Sequence, residues 1–254
     1  MQPSPARSPA YFIFNQEPGT GVTGTVQLAN VGKATGTAIL YPVDAATAGR
    51  GGAAYLGRLR PRRDVGRWLH LAASRVTLKP QEQALIPFTL TVPANGRPGD
   101  HVGGIVAEDV DQPTSKHKAG QGGFQIRVRH LNIVAVEVRL PGPTKVAVHR
   151  TGLQVGKWGN YQTIQLGLRN TGTVIVKPTG TLLVLGAHHR LVKRTHLEID
   201  TFLPRTSIQY PIFVKGPKLA NGKYTALLTL HYGANSVTRW HTTFNVSNTT
   251  VTHN

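Results

Sequence analysis

Pro80, Pro87 and Pro93 stand 7 and 6 residues apart, and Pro204, Pro211 and Pro217 repeat that spacing. Proline brings no N–H to a sheet ladder, so three at matched offsets predict the same turn, edge strand and turn in two places. A second phrase is doubled as well. LANVGKATGTAILYPV (28–43) and LRNTGTVIVKPTGTLLVL (168–185) each run an alternating apolar strand into Asn-x-Gly and on into another strand. Asn30-Val31-Gly32 and Asn170-Thr171-Gly172 are expected at tight connections, where Asn and Gly tolerate positive φ. Ahead of the first, Val22, Val26 and Leu28 share one parity; ahead of the second, Ile164, Leu166 and Leu168 do. A period of two puts each set on one sheet face. The offset between copies is 140 at the Asn turns and 124 at the prolines, so the first copy carries 16 extra residues, which fall within about residues 44–74.

Helix signals are nearly absent, while strand signals recur every 8 to 12 residues between Gly, Pro and Asn, the pattern of an all-β sandwich. The expected fold is all-β, two tandem immunoglobulin-like β-sandwich domains. Residues 1–9 read as a linker, 10–142 as the first sandwich with its insertion at about 44–74, 143–247 as the second, and 248–254 as a linker stub. Strands are expected in the first half at 11–14, 22–29, 34–41, 83–92, 101–107, 123–130 and 132–140. The tract EDVDQPTSKHKAGQGG (108–123) reads as a mobile hairpin tip. Pro141-Gly142-Pro143 closes this half as a stiff connector. Seven strands follow, at 144–155, 161–169, 179–186, 191–199, 207–214, 224–232 and 236–246.

A chain of 254 residues suits two domains large enough to bury cores without covalent staples. With no cysteine, disulfides, thiolate metal sites and cysteine nucleophiles are excluded, and the redox compartment stays open. No apolar run approaches the ~20 residues needed to cross a bilayer. The charge is +18, from 29 Lys and Arg against 11 Asp and Glu. After Gly142 the only carboxylates are Glu198 and Asp200, against 13 basic residues. Such a surface attracts polyanions, and salt weakens the attraction.

Residues 10–140 resemble the N-terminal domain of the WxL-interacting cell-surface proteins. The features that carry the likeness are Tyr11-Phe12, Leu28-Ala29-Asn30, Val76-Thr77-Leu78-Lys79-Pro80, Gly103-Gly104-Ile105 and GGFQIRVRHLNIVAVEVRL (122–140). The second half is similar to the sandwich that follows in such proteins, through NTGTVIVKPTGTL and NGKYTALLTLHYG. The resemblance implies peptidoglycan binding and an extracellular place at the cell surface or cell wall, with a signal peptide and a C-terminal membrane anchor outside this chain. It departs from the family in being strongly basic and arginine-rich.

The candidate ligand-binding residues lie in the insertion GRGGAAYLGRLRPRRDVGRWLHLAAS: Arg58, Arg60, Arg62, Arg63 and Arg67 with Tyr55, Trp68 and His70. Guanidinium groups pair bidentately with carboxylate and phosphate, and exposed rings stack on sugars, so the set suits an anionic wall glycan such as peptidoglycan or teichoic acid. The competing reading has Trp68 and Leu69 pinning a long loop to the sandwich. His188, His189 and His196 do not converge as metal ligands, because neighbours on a strand face opposite ways. Glu198 and Asp200 share a parity without a general-acid setting, and no nucleophile elbow, phosphate loop or dinucleotide fingerprint occurs. No catalytic residue, metal or cofactor is therefore expected, and the chain is not expected to be an enzyme. Nucleic acid is disfavoured, since no recognition helix or aromatic RNA-binding sheet is visible. The leading expectation is a wall-binding module that tethers or spaces surface proteins. The alternative is a protein–protein scaffold or adhesin subunit, acting through a sheet edge or the 108–123 hairpin, with its charge incidental.

Overall fold

The computed structural model describes residues 11–111, 130–233 and 236–247. The chain forms two compact units, one of Met1–Ala45 with Tyr55–Gly142 and one of Ala46–Ala54 with Pro143–Asn254. Both are β-sandwiches of immunoglobulin-like type. The strand expected at 123–130 lies, but for His130, outside the described residues, as does the tail at 248–254.

In the first unit one sheet contains β1 (Tyr11–Asn15), β3 (Gly36–Thr47), β4 (Ala53–Tyr55), β6 (Arg75–Leu78), β8 (Gly99–Asp109) and β9 (Leu131–Leu140). Their order is β1-β9-β8-β3-β4, with β6 also on β3. The β1–β9 pairing is parallel and runs from Tyr11↔Ala135 to Asn15↔Arg139. The facing sheet is β2 (Gly21–Ala29), β7 (Gln83–Thr91) and β5 (Leu69–Leu71), in the order β2-β7-β5. A single helical turn, α1 (Val65–Trp68), leads into β5. Between the sheets Val26, Leu40, Val65, Trp68, Phe88, Leu90, Ile105, Val136 and Val138 form the core. The alternation of β7 decides which side chains enter it, since Ile86, Phe88 and Leu90 are buried and their neighbours exposed. Gly24 faces Phe88, whose ring occupies the place a Cβ at Gly24 would need.

The second unit has the seven strands expected: β10 (Val148–Trp158), β11 (Tyr161–Asn170), β12 (Thr179–Leu185), β13 (Leu191–Glu198), β14 (Ser207–Phe213), β15 (Gly222–His231) and β16 (Val237–Val246). They make a three-stranded sheet β10-β11-β14 and a four-stranded sheet β13-β12-β15-β16. Ile164, Leu166 and Leu168 of β11 meet Leu182, Val184, Leu228 and Leu230 across the core.

The doubled phrases fold alike, though not as hairpins. Asn30 directly follows β2 in one sheet and the chain resumes as β3 in the other; Asn170, the last residue of β11, stands in the same way before β12. Neither Asn nor the Gly two residues on has positive φ. The expectation of a tight left-handed turn is therefore corrected. Each Asn instead closes an Asx turn onto the N–H two residues ahead, from Gly32 to Asn30 Oδ1 and from Gly172 to Asn170 Oδ1, both at 2.9 Å. The prolines match more closely. Pro80 and Pro204 precede Gln81 and Arg205, each with φ of +61°, and the Gln81 and Arg205 N–H groups donate to the Asn30 and Asn170 carbonyls. Pro211 lies in β14, an edge of its sheet, as expected. Pro87 does not: β7 is flanked on both sides, but β5 pairs only with Phe88–Leu90, so the missing N–H at Pro87 breaks no ladder bond on that side.

The insertion departs from the sequence-based boundaries. Ala46–Ala54, which holds the last two residues of β3 and the first two of β4, groups with the second unit. Thr47 Oγ1 accepts the Leu203 N–H (2.9 Å), and the Gly52 N–H donates to the Thr201 carbonyl (2.8 Å). Gly51, at φ +96°, lies against the Asp200 backbone, where a Cβ would approach the Asp200 nitrogen to 2.6 Å. No sequence periodicity marks such a segment, because its partners are some 150 residues away and its bonds are single ones.

Candidate functional site

The arginine-rich loop is held from beneath by one buried carboxylate. Asp44, at the inner end of β3, accepts the N–H groups of Arg63 (2.6 Å), Asp64 (3.2 Å) and Gly66 (2.7 Å), and so gathers the first turn of α1. The charge is satisfied by backbone donors at a helix start, where an anion is favoured. Asp64 in turn contacts His101 Nδ1 at 2.7 Å, and His101 Nε2 faces the Arg97 carbonyl at 2.8 Å. The His101 ring lies 4.8 Å from Trp68.

That anchoring separates the eight candidate residues into two groups. Trp68 is only 7% exposed and belongs to the core, so it is the pin that the competing reading described. Tyr55 is half-buried beside Tyr41, Val43 and Val106 on the outer face of the larger sheet, where its ring crosses Gly104. Burial pushes its phenol up from the ordinary value. Arg58, Arg60, Arg62, Arg63, Arg67 and His70 are exposed. The Arg58 guanidinium stands 5.6 Å over the Tyr41 ring. Among the described residues none of the five arginines has a carboxylate partner in an ion pair, and Leu59 between them is 97% exposed. The structure thus leaves these arginines exposed without a carboxylate partner among the described residues, and buries Trp68 and half-buries Tyr55 away from solvent.

The second surface is a sheet edge. On its β8 side β9 is paired throughout, from Glu108↔Leu131 to Gly99↔Leu140. On the other side β1 begins at Ala135. Among the described residues, positions 131–134 of β9 have no strand on that edge. Three of the four side chains are apolar: Ile133 packs with the outer cluster, Val134 with the core, and Leu131 is 45% exposed, while Asn132 is polar and exposed. Tyr11 and Ile13 of β1 continue this exposed apolar line. A mobile hairpin tip was expected at 108–123; the structure places Glu108 and Asp109 within β8, with Glu108 buried and accepting the Tyr41 hydroxyl at 3.1 Å, and the tract past Asp111 falls outside the described residues.

Other expectations change in detail. His188 and His189 sit in a 3-10 turn with φ of +52° and +55°, not on a strand, and are exposed. Among the described residues no group of three or more His, Asp or Glu is placed to hold a metal. Asp200 pairs with Lys177 at 3.4 Å instead of facing Glu198. The sequence reading also passed over Trp158 and Tyr161, exposed on either side of Gly159-Asn160. Two large aromatics bracketing a two-residue turn were the available signal.

No family model matches the chain, and no curated protein matches it. Among solved structures it is similar to a chain of the chaperone–tip adhesin complex vital for synergistic activation of CFA/I fimbriae biogenesis, at 12% identity over 91% of this chain and 95% of that one, TM-score 0.40. It is also similar to a chain of the CsuC–CsuE chaperone–tip adhesion subunit pre-assembly complex of Acinetobacter baumannii (11%, 89% and 93%, TM-score 0.41) and to the E. coli chaperone DraB (13%, 92% and 94%, TM-score 0.36). With TM-scores below 0.5 these likenesses carry no argument about partners; the fold assignment stands on the strand order and register above.

Proposed function

We propose that this chain is a non-enzymatic module that holds a partner protein by strand addition at residues 131–134 of β9. The supporting observation is the register: among the described residues β1 pairs only with Ala135–Arg139 of β9, and the stretch ahead of it carries Leu131, Ile133 and Val134. An added strand would satisfy the open ladder and lay alternate side chains on Val134 and Ile133. Four ladder positions supply about 2–4 kcal/mol in net hydrogen bonds, which alone gives roughly millimolar affinity. Side-chain burial along the edge must supply the rest, so specificity would follow the partner's apolar alternation.

A panel of extended peptides with alternating apolar residues tests this. The expected result is saturable binding, slowed hydrogen exchange at 131–134, and loss of both in Leu131→Lys combined with Val134→Pro. Binding that protects other amides, or that the double variant leaves unchanged, overturns it.

A second reading rests on the unpaired guanidiniums of Arg58, Arg60, Arg62 and Arg63: retention of an anionic wall polymer, peptidoglycan or teichoic acid, at the cell surface. It predicts retention on purified wall material that falls with salt and disappears when Arg60, Arg62 and Arg63 are changed to Glu. The envelope or extracellular setting, and membership of the WxL-interacting family, belong to the same reading.

A further inference from the structure

Three aromatic rings crowd one end of the β10-β11-β14 sheet. Trp158 and Tyr161 are the last facing pair of β10 and β11, so they project from the same side. Phe213 faces Thr163 across β14 and β11, and Thr163 shares the parity of Tyr161, so Phe213 joins them there. Its ring centre is 6.4 Å from Trp158 and 6.1 Å from Tyr161, with interplanar angles of 68° and 86°. Only Gly159, at φ +55°, and Asn160 separate the two strands. Trp158 is 63% exposed and Tyr161 64%. Large rings left open in this way mark an interaction surface.

One cation lies over a ring, and others stand close to the rings in the chain. The Arg50 guanidinium stands 6.0 Å over Phe213. Lys157 precedes Trp158, and Lys215 and Lys218 follow β14; all three are exposed. Gln162 ties their loop to the hairpin through both groups of Leu219, at 2.7 and 3.2 Å. Lys193 adds another ammonium, which donates to the Lys215 carbonyl at 2.8 Å. Of the two carboxylates after Gly142, Asp200 is engaged by Lys177 and Glu198 lies at the opposite end of β13 from Lys193.

We propose that this hairpin tip docks on the surface of an anionic phospholipid bilayer, with Trp158 and Tyr161 at headgroup depth and these cations on lipid phosphates. Tryptophan and tyrosine favour that boundary because each joins an apolar ring to a polar group that stays wet. Lysine and arginine beside an anionic leaflet add attraction within a Debye length. The rings favour this occupant over a glycan, because Phe213 stands at 68° to Trp158 and 86° to Tyr161 and the three do not share one plane for a pyranose to stack on. The charge favours it over an apolar protein partner, which would gain nothing from Arg50 and the exposed lysines at 157, 215 and 218. The inference is independent of the β9 edge, which lies in the other unit.

The full chain is to be sedimented with vesicles of phosphatidylcholine, alone and mixed with phosphatidylglycerol. Binding is expected only to the mixed vesicles, weakening with salt and accompanied by a blue shift of tryptophan emission that Trp158→Phe removes. Trp158→Ser combined with Tyr161→Ser, and separately Lys215→Glu combined with Lys218→Glu, should each lower the partition coefficient about tenfold or more while leaving thermal unfolding unchanged. Equal partitioning of wild type and both variants, or no binding to the mixed vesicles, overturns the proposal. So does a Trp158/Tyr161 variant that loses binding to wall glycan or to a protein but not to vesicles.

Discussion

Asn30 and Asn170 make the same hydrogen bonds in the two halves. The Asn30 amide donates to Ala34 O (2.8 Å) and Leu78 O (2.9 Å), and the Asn170 amide to Val174 O (3.0 Å) and Phe202 O (2.9 Å). Each side chain thus ties the end of one strand to the start of the next and to the segment before the Pro-x turn. The partners lie 48 residues apart in one case and 32 in the other; the difference is the 16-residue insertion.

Replacing these residues by alanine should separate them by burial. Asn170 is fully buried and Asn30 is not, so Asn170→Ala, which orphans two carbonyls and an N–H, should cost about 2–4 kcal/mol and Asn30→Ala about 1–2 kcal/mol. Denaturant unfolding, followed through Trp240 for the second unit and Trp68 for the first, measures both.

Asp44 should matter more to stability than any residue of the loop above it. Asp44→Ala leaves three N–H groups without their acceptor and should cost about 3 kcal/mol, whereas Arg60→Ala should be close to neutral. Increased Trp68 emission wavelength and faster proteolysis within 57–64 are the expected signs in the Asp44 variant.

Gly51→Ala and Gly52→Ala offer a paired test. Both glycines have positive φ, but only at Gly51 would the new methyl meet backbone, that of Asp200. The Gly52 change should cost about 1 kcal/mol from conformation alone, and the Gly51 change about 1–2 kcal/mol more. Calorimetry should record the loss in the second unit's transition.

Because burial raises the Tyr55 phenol, its neutral form is favoured in the folded state. Its contribution to stability is complete below the unfolded tyrosine value, about 10, and is lost as pH rises through the higher folded value. Tyr55→Phe should flatten stability in that alkaline range, and ultraviolet titration should show one phenol fewer ionising late.

The long strands were legible in the sequence because their alternation is local: β2, β7, β11 and β15 start and stop within a residue or two of expectation. The short ones were not. β4, β5, β6 and α1 offer three or four residues each, too few to show a period, and are fixed by tertiary partners such as Asp44 and Pro87. Trp68 was misassigned to a binding surface because its surroundings are rich in arginine, yet the single turn of α1 directs it inward while Arg67 stays out. The pairing of β1 with only Ala135–Arg139 of β9 among the described residues could not be read from β9 itself, since it depends on the register of a strand about 120 residues earlier in the chain.

The Thr47–Leu203 bond joins positions 156 residues apart. On the ribosome, Ala46–Ala54 emerges long before the strands it completes, and at ordinary elongation rates it waits roughly 10 to 30 s for them. During that interval the groups that later bond to Thr201 and Leu203 have only water, or a chaperone, to satisfy them. A gene fragment that begins at Pro143 would never receive the segment, and its product would have to fold around a gap.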